Sequence, residues 1–146
     1  MKGTPPRISV VIPARNSIET IALCIEALLS QSRPREQYEV IVVDDGSTDE
    51  TAAIARGYGV RVLSQPWQGP AAARNLGLKE ARGKIVLFTD ADCTPTRDWI
   101  EELIKPFADP EVIGVRGTYL TRQGELVARF VQIEYEDRYD RMRGRE

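Results

Sequence analysis

Not one histidine occurs among the 146 residues. Its absence removes the usual general base, the Ser-His-Asp and Cys-His nucleophile systems and the commonest transition-metal ligand, so any chemistry here must run on carboxylates and hard cations. Cysteine is almost as scarce. Cys24 and Cys93 are too few for a disulfide framework and too far apart for a zinc knuckle. No apolar run approaches the roughly 20 residues of a membrane span, and the N-terminus MKGTPPRISVV has neither the h-region nor the cleavage site of a signal peptide. The formal net charge of −2 supplies no basic field, and the aromatics are not interleaved with Lys or Arg, which speaks against a nucleic-acid partner. A soluble, cytoplasmic polypeptide is expected. Its 42% hydrophobic and 29% charged composition is that of an ordinary globule, sized for one domain with a real core.

What is present is an alternation of elements. Five segments read as strands: Ile8 to Ile12, Glu39 to Val43, Val60 to Ser64, Ile85 to Thr89 and Val112 to Tyr119. Three of them are almost continuously apolar and β-branched, the pattern of strands covered on both faces. Between them, Ile21, Cys24, Ile25, Leu28 and Leu29 make a one-sided helical stripe. Ser47 and Glu50 form a capping-box pattern opening a second helix that Gly57 and Gly59 close. A third helix is expected from Gly69, with Pro70 at its first position, to Gly83, and a fourth through Trp99, Ile100, Leu103, Ile104 and Phe107. Residues 125–142 carry an amphipathic helical pattern, and the Arg-rich end reads as a tail. Strands alternating with helices over short links predict an α/β fold, a mostly parallel, Rossmann-like sheet flanked by helices. In such sheets ligands bind beyond the carboxyl ends of the strands.

The polar clusters fall at those ends: PARN (Pro13 to Asn16) after the first strand, DDGSTD (Asp44 to Asp49) after the second and TDADC (Thr89 to Cys93) after the fourth. In DDGSTD, Gly46 turns the chain and Ser47 is expected to cap the helix, which leaves Asp44 and Asp45 to accept from a base N–H or a sugar hydroxyl. GPAAARNLG (Gly69 to Gly77) has small residues suited to close packing, followed by Arg74 and Asn75. Arg74 is open to two readings, a pocket residue or a surface cation. Asp90 and Asp92, two apart on an extended chain, share a side and suit a hard divalent cation with phosphate oxygens; helix capping and loop bonding is the structural alternative. Cys93 reads as apolar filler.

VVIPARN, VIVVDDGSTDET, GPAAARNLGL and IVLFTDADC, in this order and spacing from Ile8 to about Tyr119, resemble the family 2 glycosyltransferases. That resemblance implies a GT-A fold, a Rossmann-like half that binds a nucleoside diphosphate sugar followed by an acceptor half. It implies that Pro13, Ala14, Arg15 and Asn16, with Asp44 and Asp45, contact the nucleotide, Asp45 meeting the base. Arg74 and Asn75 match an ARN element lining the donor pocket. Asp90 and Asp92 match the DXD motif, the first acid near the ribose and the last on the Mg2+ or Mn2+ that bridges the diphosphate. The implied activity is inverting transfer from a nucleoside diphosphate sugar, with uridine the favoured base, to an unidentified sugar or lipid-linked acceptor. A longer parent would work in the cytoplasm at the inner face of a membrane.

This sequence departs from the family after the DXD. An inverting transfer needs a general base on the face opposite the leaving group, and the family's acidic base belongs to a longer catalytic segment. Glu136 and Asp137 spell ED but arrive too early, so residues 1–146 read as a donor-binding portion truncated before the acceptor half, with the base beyond Glu146. Two rivals use the same acids. DADCT fits the DxDxT of haloacid-dehalogenase-like phosphatases, whose motif usually follows the first strand. Asp90, Asp92, Thr94, Thr96, Asp98 and Glu101 fall at calcium-loop spacing as a non-enzymatic cation module, but position six is Pro95 where a glycine is required. A nicotinamide dehydrogenase is excluded by the lack of GxGxxG after the first strand.

Overall fold

The computed structural model describes residues 7–118. Four strands form one wholly parallel sheet in the order β3-β2-β1-β4, with β1 at Ile8–Ala14, β2 at Tyr38–Asp45, β3 at Arg61–Gln65 and β4 at Ile85–Phe88. Helices α1 (Ile21–Leu29), α2 (Thr51–Gly57), α3 (Pro70–Glu80) and α4 (Trp99–Ile104) occupy the intervals between and after them. Among the described residues, no helix is long and apolar enough to cross a membrane.

All seven residues of β1 are buried, as the apolar run requires of a central strand. Their side chains alternate between two cores. Ile8, Val10 and Ile12 pack with Ile21, Cys24, Ile25 and Leu28 of α1, with Ala55 and with Ile100. Val11 points the other way, with Ile41, Val43 and Ala73 of α3. Period-two alternation along each strand thus feeds both helix layers. Gln31, buried just after α1, ties that layer together: its amide donates to Ala27 O (3.1 Å) and Thr96 O (2.7 Å), and its oxygen accepts from Ile100 N (3.0 Å).

The register aligns the strand ends that matter. Ala14 pairs with Asp44 and Asp45 with Gln65, so β1, β2 and β3 finish at one rim. β4 ends at Phe88 opposite Val11, and Thr89 N donates to Val11 O (3.2 Å) before the chain turns.

Three expectations are corrected. Residues 112–118 are not a strand; Ile113 is 96% exposed, and Gly114 and Gly117 weaken the run's preference for an extended ladder. Tyr119, the amphipathic stretch 125–142 and Glu136 and Asp137 lie outside the described residues. Helix α2 starts at Thr51, not at Ser47, and Glu50 makes no side-chain cap; the Ser47 hydroxyl instead accepts from Asn16 N (3.0 Å). Helices α3 and α4 are shorter than their patterns, α3 ending at Glu80 and α4 passing into a 3-10 turn at Lys105–Ala108.

Gly77 sets how closely α3 approaches the sheet. A Cβ there would stand 2.2 Å from Val11 Cγ1 and 3.2 Å from Val43 Cγ2. Helix propensity alone would favour Gly77→Ala by about 1 kcal/mol, whereas overpacking a core costs about 1–3 kcal/mol. The clash is severe enough to win. Urea denaturation of Gly77→Ala is expected to show a net loss of about 1–2 kcal/mol; a gain would mean that the helix and sheet are not in contact.

Candidate functional site

The loops after β1 and β2 are laced to each other. Asn16 adopts a left-handed backbone (φ +48°), a conformation asparagine tolerates better than most residues. Its side-chain oxygen accepts from Thr48 N (2.8 Å) and the Thr48 hydroxyl (3.3 Å). Ser17 N donates to Thr51 Oγ1 (2.7 Å), and Ile18 N to Asp49 Oδ2 (3.3 Å). Asp49 also receives the backbone N–H and hydroxyl of Thr51 at the start of α2. The Thr51 hydroxyl leads the bonds that hold Asp49 below the usual carboxylate range. Asp44, nearly buried, accepts from Ser47 N (3.2 Å) and so shapes the turn at Gly46. Much of DDGSTD is therefore loop architecture.

Asp45 has a different task. Only 3% exposed, it reaches across to the loop between β3 and α3. Its Oδ1 accepts from Gln65 Nε2 (2.7 Å) and Gln68 N (2.9 Å), and its Oδ2 from Gly69 N (2.8 Å). Burial pushes this carboxyl up, but those three donors and the nearby Arg15 guanidinium outweigh it and hold the group below its ordinary value. The loop so fixed presents Trp67, 65% exposed, with the Arg15 guanidinium 4.6 Å above its ring. Pro13, Ala14, Arg15, Asn16, Asp45, Trp67 and Pro70 enclose a cleft of about 400 Å³.

A second cleft of about 490 Å³ shares Pro13, Arg15 and Asn16 with the first and runs past Ser17 to Thr20 to end at Ala91 and Asp92. Asp90 Oδ1 accepts from Arg74 NH2 at 2.6 Å, across a pair that is substantially exposed on both sides. An ion pair this wet adds little stability, so its consequence is orientation of the carboxylate. Asp90, Asp92 and Cys93 have potential ligand atoms within 4.8 Å of one another. Two carboxylates are hard oxygen donors that suit Mg2+ or Mn2+. Burial pushes the Cys93 thiol up, and its soft sulfur is a poorer match than the two carboxylate oxygens for a hard cation. The donor set thus fits the hard cation expected from the sequence.

Cys24 sits in α1 with its thiol against Asp90 O (3.5 Å), pushed up to about 12 chiefly by burial, and is inert packing. Asn75 is exposed on α3 and lines neither cleft. The calcium-loop spacing does not gather its ligands: Glu101 is paired with Arg33 (2.7 Å), and the Thr96 hydroxyl donates to Asp98 (2.9 Å). Sequence reasoning missed Gln65, Trp67 and Gln68. The available signal was QPWQG, a tryptophan among polar and turn residues just beyond a strand's carboxyl end.

Replacing Asp45 by Asn sets an amide N–H2 or one fewer acceptor against three donors. A loss of about 1–3 kcal/mol at pH 7 is expected from the donors left unpaired. Because the folded carboxyl titrates below its unfolded value of about 3.9, its contribution is full above about pH 4 and vanishes as pH falls through the lower folded value. Denaturation of wild type and Asp45→Asn should therefore differ at neutral pH and converge as pH falls below about 4; a constant difference would show that the charge plays no part.

Comparison with known proteins gives the family and the architecture. Residues 9–146 match the family model described as glycosyl transferase family 2. The glycosyltransferase AglE of Haloferax volcanii is 41% identical over 107 residues, covering 69% of this chain and 35% of AglE. The mannosyltransferase PcManGT of Pyrobaculum calidifontis, in complex with GDP-Man and Mn2+, superposes with a TM-score of 0.67 at 34% identity, over 75% of this chain and 34% of that one. Residues 1-349 of S. aureus TarS, in complex with UDP, give 0.66 at 31% identity, over 82% and 40%. The chain thus spans little more than a third of these relatives. It has the GT-A architecture of its structural neighbours and belongs to glycosyl transferase family 2.

Proposed function

We propose that this chain supplies the donor-binding part of an inverting, metal-dependent glycosyltransferase that takes a uridine diphosphate sugar and passes the sugar to a glycan or lipid-linked acceptor, in the cytoplasm or at a membrane's inner face. The observation that carries the reading is the continuity of the two clefts through Pro13, Arg15 and Asn16. One trough along the sheet rim joins a buried acceptor, Asp45, to Asp92, which has a carboxylate oxygen of Asp90 within 4.8 Å. A nucleoside diphosphate has the same order of parts: a base with ring donors, then a ribose, then a charged diphosphate.

In this reading the base enters the cleft floored by Asp45, and Asp90, oriented by Arg74, lies near the ribose. Asp92, with Asp90, would hold Mg2+ or Mn2+. Bound there, the cation supplies charge stabilisation to the departing nucleoside diphosphate. Arg15, common to both clefts, adds a positive group beside the same trough. The part of the reaction that falls to the described residues is binding and orienting the donor.

Uridine is favoured by counting acceptors. A carboxylate offers about four lone-pair sites, and three of those on Asp45 are taken by Gln65, Gln68 and Gly69. One remains. Uracil presents a single ring N–H, whereas guanine presents a ring N–H and an adjacent amino group that together call for both oxygens. An unpaired donor costs about 1–3 kcal/mol, roughly tenfold or more in affinity.

Calorimetric titration with UDP and GDP, each with and without Mn2+, tests this. UDP is expected to bind in a Mn2+-dependent way, GDP at least about tenfold more weakly, and Asp92→Asn is expected to abolish the metal dependence. UDP binding that ignores both Mn2+ and Asp92→Asn would remove the metal from the reading.

A further inference from the structure

Resting on the donor reading above, we propose that Trp67 and Arg15 form a stacking slot for the nucleobase, the indole on one side and the guanidinium on the other. Three observations converge on it. First, Trp67 leaves 65% of its surface exposed and is in neither of the two cores, an unusual placement for the largest apolar side chain. Folding gains little from it. Second, its backbone is fixed on several sides. Asp45 holds Gln68 N and Gly69 N just downstream. Gly46, at φ +70°, passes so close beneath that a Cβ there would lie 2.8 Å from Trp67 N. An exposed indole on a held backbone is a prepared surface rather than a loose one.

Third, the Arg15 guanidinium lies 4.6 Å from the ring centroid, and both residues line the cleft floored by Asp45. A planar cation over an indole occupies the place a planar base would take. The base inserts between them, exchanging one stacked contact for two, on the indole and under the guanidinium. Its ring N–H then meets the acceptor left on Asp45. Stacking of this kind is indifferent to base identity, so the slot supplies affinity and Asp45 supplies the choice of base.

Tryptophan fluorescence and calorimetry on the full chain separate the slot from the rest of the donor site. Trp99, packed against the core, gives the constant background. UDP with Mn2+ is expected to quench the wild-type emission, and Trp67→Phe to bind UDP within about threefold while losing the quench. Trp67→Ala and Arg15→Ala are expected to weaken UDP by about tenfold or more, with pyrophosphate and Mn2+ binding to Trp67→Ala unchanged within twofold. The thermal midpoint of Trp67→Ala should match wild type, which excludes misfolding as the cause. Wild-type affinity for UDP in Trp67→Ala overturns the slot and leaves the donor reading standing. Equal losses of UDP and pyrophosphate in that variant overturn it as well. No UDP binding by the wild-type chain takes down both.

Discussion

The site depends on one buried carboxylate. Asp45, at the last position of β2, accepts from Gln65, Gln68 N and Gly69 N. Those donors belong to the end of β3 and to the two residues leading into Pro70. A charge placed in this position would be unfavourable without partners; with them, it sets the path of a whole loop. The same carboxylate floors the cleft that Trp67 and Arg15 close. The structural role of Asp45 does not use up its carboxylate. Three donors on about four acceptor positions leave a single, directed one.

The sheet makes that arrangement possible. Parallel strands in the order β3-β2-β1-β4 bring the PARN, DDGSTD and TDADC loops to one rim, though they lie far apart in sequence. The PARN and DDGSTD loops are joined by Asn16, Ser47, Thr48, Asp49 and Thr51. TDADC is placed otherwise, by Thr89 on β1, by Arg74 from α3 and by the core beneath Cys24. The Asp45 end of the trough is consequently knitted backbone to side chain. The Asp92 end rests on more exposed carboxylates.

Strand location was legible because β1, β2 and β4 are short β-branched runs bounded by polar loops, and α1 because its stripe has a single apolar side. Those are signals of burial, and burial is what the sheet's two covered faces impose. The residues 112–118 carried the same composition without the same environment, and they are not a strand. The failure at α2 has another cause. Ser47 and Glu50 have capping-box spacing, but Asn16, some thirty residues away, claims the serine hydroxyl, and spacing within a loop says nothing of a partner outside it. Asp44, Asp45, Asp90 and Asp92 stood out because adjacent acids demand an explanation. Trp67 did not, since a lone aromatic in a loop is unremarkable until the fold shows it exposed, backed by Gly46 and covered by Arg15.

That placement of Trp67 bears on how the sequence is free to drift. Selection for folding alone would guard position 46, where any side chain meets the backbone of residue 67, and would guard position 45, on which the loop hangs. It would be nearly blind to position 67, whose indole contributes to neither core. An aromatic at position 67 would answer instead to a bound partner, so its loss and the loss of Asp45 or Gly46 would be felt through different events, binding in the one case and folding in the other.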